Sequence, residues 1–283
     1  MLLQPELAHE GADLGIKIFV DNLFPYLLPY LILTQWLLRL TNISSIPQGS
    51  KWRFYVQLYC LGALGGFPTG AATTGFLYQQ QQLTQKEARY LLAICHAPSP
   101  LFVVGFVGME ILRNPISGWQ MLGLFHFVNI IMLVIFILVF RKTVPPTNLP
   151  PKPKDAGNPL IESIKSSLPT VLLVAATVIF FTTLSYVFTQ TLENFVDSLP
   201  KGVMLSLYSI LEMTSGLAAS EDFYGHSSWL PLIVITILSM QGLSIHMQVA
   251  VLAREAKISL KPYISARVLQ TLVVPLLYWI IFM

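Results

Sequence analysis

Charge is what this sequence lacks most. Only 11% of its 283 residues are Asp, Glu, Lys or Arg, against roughly 25% in a soluble domain. Such a chain cannot clothe a water-facing surface, which excludes a soluble fold. Cysteine is scarce as well. Cys60 and Cys95 are the only two, both in apolar stretches, and are expected to be buried free thiols, not a disulfide or metal pair. Catalytic signatures are missing too. With no GxSxG, no HExxH, no phosphate-binding loop and no paired metal-ligand spacing, neither an enzyme nor a metal site is expected. The basic residues are scattered along the chain, so no nucleic-acid surface is expected. The first thirteen residues carry Glu6, Glu10 and Asp13 but no Lys or Arg. That start differs from a secretory signal peptide, and the first helix is expected to remain in the mature protein.

What the sequence has is apolar length. It is 54% hydrophobic with a mean hydropathy of +0.64, and runs such as "MLGLFHFVNIIMLVIFILVF" (121–140) match the roughly 20 residues that cross hydrocarbon. The class is an all-α polytopic membrane protein. Full spans are expected at about 14–38, 116–140, 168–190 and 263–283. Two further spans, about 91–112 and 229–251, are interrupted by "CHAPSP" and "QGLSIH". Two shorter segments, about 54–78 and 202–220, contain "GGFPTGAATTG" and "EMTSGLAAS".

Charge then orients the chain. With the N-terminus outside, thirteen of the seventeen basic residues fall on the cytoplasmic side, as the positive-inside rule asks. Each half then reads span, re-entrant hairpin, broken span, span, and the second half enters from the opposite side. Residues 1–140 form one inverted repeat and 160–283 the other. The seam "RKTVPPTNLPPKPKDAGNP" (141–159), rich in Pro and Lys, reads as a cytoplasmic linker. Inverted repeats with broken helices meeting at the midplane are a transporter architecture.

The polar residues gather at the breaks. Irregular backbone at membrane depth is tolerated only where protein or a water-filled cavity satisfies it. In the first hairpin the candidates are Gly66, Pro68, Thr69, Gly70 and Thr73, where glycines allow the turn and Pro68 stops helix continuation. The second hairpin offers Glu212, Thr214, Ser215 and Gly216. The broken spans add His96 and Ser99, beside Pro98 and Pro100, and Ser244, His246 and Gln248, beside Gly242. Glu212 stands out, because an ionisable group at membrane depth costs at least ~2.5 kcal/mol on insertion scales. It is expected to be protonated, paired with a histidine, or a ligand of a coupling ion, Na+ or H+. Glu212, Ser215, His96 and His246 are expected to share one midplane cavity. His126 and Asn129 lie three apart on one helix face. Thr84 and Glu87 form a capping box that opens an amphipathic entry helix.

The stretch "GGFPTGAATTGFLYQQQQLTQKEARYLLAICHAPSPLFVVGFVG", with "FPYLLPYLI" (24–32), "LEMTSG" and "GLSIHMQV", resembles the Gate-domain ("nucleoside recognition") membrane proteins, in their sporulation integral membrane protein branch of YlbJ type. The resemblance covers nearly the whole chain. It implies an endospore-forming Firmicute, the cell membrane and a role in sporulation. It also implies a fold related to concentrative nucleoside transporters and, for this branch, transport of dipicolinic acid. Ala72 stands where the branch often carries Lys, which removes a cation for an anionic solute. His96 stands where the branch has Asn. The implied partners are the lipid bilayer, a small polar or anionic solute, and further copies of the chain or other sporulation membrane proteins. A non-transporting, partner-binding sporulation component is the competing expectation; such a scaffold would need neither Glu212 nor His246.

Overall fold

The structure is a computed structural model that describes residues 4–40, 51–140, 158–195 and 199–283. Twelve helices run through those residues: α1 (Pro5–Leu40), α2 (Lys51–Gly65), α3 (Phe67–Gln79), α4 (Gln85–Ile94), α5 (Leu101–Ile111), α6 (Pro115–Phe140), α7 (Pro159–Glu193), α8 (Lys201–Leu211), α9 (Met213–Tyr224), α10 (Leu230–Met240), α11 (Gly242–Glu255) and α12 (Lys261–Phe282). Among the described residues there is no strand. Five runs are long and apolar enough to cross a membrane: Pro5–Leu40, Pro115–Phe140, Pro159–Glu193, Leu230–Glu255 and Lys261–Phe282. The first and third extend well beyond the sequence-based edges. The linker 141–159 lies outside the described residues apart from its last two, Asn158 and Pro159.

Local chemistry sets many of these boundaries. Asn158 accepts the Leu160 N–H at 3.0 Å, and Pro159 occupies the first turn of α7. Asn114 caps α6 through the N–H groups of Ile116 and Ser117. The expected capping box forms at α4, where Thr84 accepts from Glu87 N and the Glu87 carboxylate accepts from Thr84 N. Glu87 does more than cap. It is fully buried and also takes Lys51 Nζ at 2.7 Å and the Tyr55 hydroxyl. This clasp ties the start of α2 to the start of α4.

In a bilayer, lipid tails are as apolar as leucine, so close packing and hydrogen bonds fix helix positions. The first and seventh helices show the packing. A Cβ added at Gly11 would lie 3.0 Å from the Thr183 Cα, and one at Gly15 would lie 2.8 Å from the Ile179 Cα. Backbone meets backbone there, which only glycine allows. The apolar core draws on both halves of the chain. Leu58, Leu92, Val249 and Tyr263 share one cluster, and Phe102, Phe125, Leu217 and Leu238 another. Of the two thiols, Cys95 is buried as expected, but Cys60 is exposed on the outer face of α2.

Candidate site where four helix breaks meet

The α2–α3 hairpin turns at Gly66, whose φ of +85° lies in the region that favours glycine. Pro68 follows in the first turn of α3, where its missing N–H does no harm. The Thr69 hydroxyl donates back across the turn to the Gly65 carbonyl at 2.8 Å. A few residues on, Gly70 lies flat against the Cys95 carbonyl, and a Cβ there would overlap that oxygen. The first hairpin is thereby seated on the α4–α5 break.

That break leaves carbonyls without helical donors. Pro100 has no N–H for the His96 carbonyl, and α4 has already ended at Ile94. Donors arrive from elsewhere. Arg267 of α12 gives Nη1 to His96 O at 3.3 Å and Nη2 to Ala93 O at 2.8 Å, and Asn129 of α6 also donates to His96 O at 3.5 Å. Gln270 joins them by accepting from Arg267 and donating to Asn129. Past the break, the Ser99 hydroxyl accepts the Phe102 N–H at the start of α5.

The α8–α9 hairpin turns at Glu212, whose extended backbone makes it the N-cap of α9. Its carboxylate accepts Ser215 N at 2.6 Å, Ser215 Oγ at 3.0 Å and Ser244 Oγ at 3.2 Å. Ser215 also bonds Thr182 on α7. The α10–α11 break is two consecutive residues of positive φ, Gln241 (φ 69°) and Gly242 (φ 64°). A Cβ on Gly242 would meet Ser209 O at 2.9 Å and Met213 N at 3.0 Å, so the second hairpin is seated on the second break. One buried hydrogen bond joins the two breaks: His96 Nε2 donates to Gln241 Oε1 at 2.7 Å.

Between these elements lies a cavity of about 60 Å³. Six of the fourteen expected residues line it: Gly66, Pro68, Ser99, Glu212, Thr214 and Gln248. Ser215 and Ser244 stand one hydrogen bond behind, on Glu212. The first turns of α3, α5 and α9 all border the cavity, and helix N-termini carry partial positive charge. Glu212 is its one ionisable lining group apart from Tyr26.

The other expected residues serve differently. Thr69, Gly70 and Gly216 pack the hairpins, Gly216 against Ser209. Thr73 is buried without a hydrogen-bond partner. The expected meeting of Glu212 with both histidines does not occur within hydrogen-bond reach. His96 bridges the breaks, while His246 donates to the Met240 carbonyl at 3.0 Å and pairs with Tyr263. His246 borders a different cavity, because helical periodicity turns it away from Ser244 and Gln248. His126 and Asn129 also part company: His126 bonds Tyr59, whereas Asn129 serves the first break.

Compared with known proteins, the chain is 25% identical, over an alignment of 322 residues, to the sporulation integral membrane protein YlbJ of Bacillus subtilis (strain 168), spanning 95% of this chain and 76% of that one. This chain is a multi-pass membrane protein. No family model matches it, and no solved structure matches significantly.

Sequence reasoning missed several parts of this centre. Arg267 carries no motif, and its one signal in the sequence is a lone base near the start of an apolar span. Gln241 gives no sequence sign of a left-handed backbone beyond its place before Gly242. Tyr26, Val174 and Val178 line the cavity from spans whose apolar pattern gives no sign of it.

Proposed function

We propose that this protein is a sporulation-associated permease for a small polar or anionic solute, with dipicolinic acid the leading candidate by resemblance. The observation that carries the proposal is a cavity beside Glu212 that three of the four helix breaks line, with the fourth, at Gln241 and Gly242, packed against the Glu212 turn. A structural scaffold has no need of four breaks, each of which costs backbone hydrogen bonds. A cavity of about 60 Å³ has room for roughly four waters, so a solute of a dozen heavy atoms requires the hairpin tips to part. The two halves supply equivalent tips, which suits inverted repeats that exchange access between the two sides.

Three helix N-termini favour an anion without a formal positive charge. A carboxylate in the same cavity opposes one, so Glu212 takes up a proton when an anionic solute enters, and H+ is the coupling ion. The test is accumulation of radiolabelled dipicolinate in proteoliposomes holding the purified protein. Uptake should exceed that of protein-free liposomes, rise with an imposed proton gradient, and fall or change its pH dependence in Glu212→Gln. No uptake of dipicolinate or of other small dicarboxylates would refute the permease. Orientation is tested separately, in a Cys60→Ser, Cys95→Ser background. Cysteines placed in 141–158 should label only from the cytoplasm, and those in 221–227 only from outside. Labelling of both from one side would end the inverted arrangement.

A further inference from the structure

A second cavity, of about 760 Å³, opens between α11 and α12, within the range of small-molecule sites. Arg267, His246 and Tyr263 form its polar floor, while Leu243, Met247 and Val268 form its apolar rim. The rim residues are about half exposed on the surface that meets hydrocarbon. Arg267 is 3% exposed, its Nε has no hydrogen-bond partner, and among the described residues no carboxylate lies within ion-pair distance of it. The carbonyls it caps supply dipoles but no counter-charge, and an uncompensated cation at membrane depth is costly.

The shape of the space suggests what supplies the missing charge. Lys257 and Lys261 flank the start of α12, and Arg267 lies six residues further on, roughly 9 Å along the axis. Leu272 lies deeper still, also on the cavity wall. Tyr263 and Arg267 therefore stand nearer the basic end of the helix than Val268 and Leu272, which carry the apolar wall further inward. That is the layout of an amphiphile with an anionic head and a hydrocarbon tail. We propose that this lateral cavity holds an anionic phospholipid from the surrounding leaflet, with its phosphate drawn towards Arg267 and its acyl chain lying against Met247, Val268 and Leu272.

The test uses the full chain in nanodiscs with equal amounts of phosphatidylglycerol and phosphatidylethanolamine of matched chains, followed by native mass spectrometry of the retained lipid. Phosphatidylglycerol should be retained about fivefold over its neutral counterpart, the worth of one basic residue facing an anionic lipid. Arg267→Gln should lose that preference. Because Arg267 also caps two carbonyls, Met247→Trp and Val268→Trp provide the folded controls: each fills the rim, touches no capping bond, and should lose the lipid at unchanged melting temperature. Equal retention of the two lipids overturns the proposal, as does an unchanged preference in both tryptophan variants. A dimer fraction that falls in those variants while lipid retention holds would instead put a second copy on this face, and displacement by millimolar glycerol 3-phosphate would remove the acyl chain from the proposal.

Discussion

The two broken helices solve one problem in opposite ways. At the first, two prolines strip the break of donors, and help comes from distant helices: Arg267, Asn129 and Gln270 converge on the carbonyls of Ala93 and His96. At the second, Gln241 and Gly242 bend the chain within two residues, the Gln241 N–H still bonds Ile237 O, and His246 of the same broken helix covers the Met240 carbonyl. A proline break borrows its repair from elsewhere in the fold, whereas a left-handed break repairs itself. The first is therefore hostage to α12, while the second answers mainly to its own sequence.

That contrast predicts a graded set of effects. The largest belongs to Arg267→Leu, which takes the side-chain donor from the Ala93 carbonyl at about 1–3 kcal/mol and one of two donors from the His96 carbonyl, where Asn129 stays, at about 0.5–1.5 kcal/mol. Size-exclusion profiles and thermal melting in detergent should show collapse of the folded fraction, with partial recovery in Arg267→Lys. Next comes Gly70→Leu, where a side chain is forced against the Cys95 carbonyl. Overpacking costs about 1–3 kcal/mol and would unseat the first hairpin, so the proposed dipicolinate uptake should fail while the protein still inserts at normal levels. His246→Leu uncovers one carbonyl and should cost about 1–3 kcal/mol; a melting shift as large as that of Arg267→Leu would break the comparison.

The smallest effect concerns the clasp at Glu87, which has no buried ion-pair counterpart at α10 among the described residues. Burial pushes the Glu87 carboxyl up, but hydrogen bonds from Lys51, Tyr55 and Thr84 outweigh it and hold the pKa below the ordinary glutamate value. A depressed carboxylate contributes stability above its unfolded pKa and loses it as the pH falls through the folded one. The melting temperature of the native protein should therefore drop on acidification below the ordinary glutamate range, and Glu87→Gln should flatten that limb. An identical acid limb in the variant would take the clasp out of the stability account.

How much of this was legible beforehand follows the same line. Breaks announce themselves locally, through Gly66, Pro98 with Pro100, and Gly242, and all four helix interruptions were placed from sequence. The Thr84–Glu87 cap was readable for the same reason. Repair over long distance was not readable. Nothing near Arg267 says that it reaches Ala93, and nothing near Glu87 says that Lys51 lies beside it, because both contacts depend on how the helices pack. The histidines show the limit from the other side. Each stands at a break as expected, yet each is turned to a backbone or side-chain partner other than Glu212, since residue spacing fixes a helix face but not what that face meets.

The glycine contact between α1 and α7 also has a consequence in time. The ribosome delivers Gly11 and Gly15 early, but their partners Ile179 and Thr183 follow roughly 170 residues later, a delay on the order of ten seconds or more at ordinary synthesis rates. Throughout that interval the first helix presents a flat glycine face to lipid or to another nascent chain, with its native mate not yet made. A chain interrupted before α7 would lack the helix against which α1 is shaped to close. Assembly is thus timed by the second half of the message, and α1 settles only after α7 has followed it.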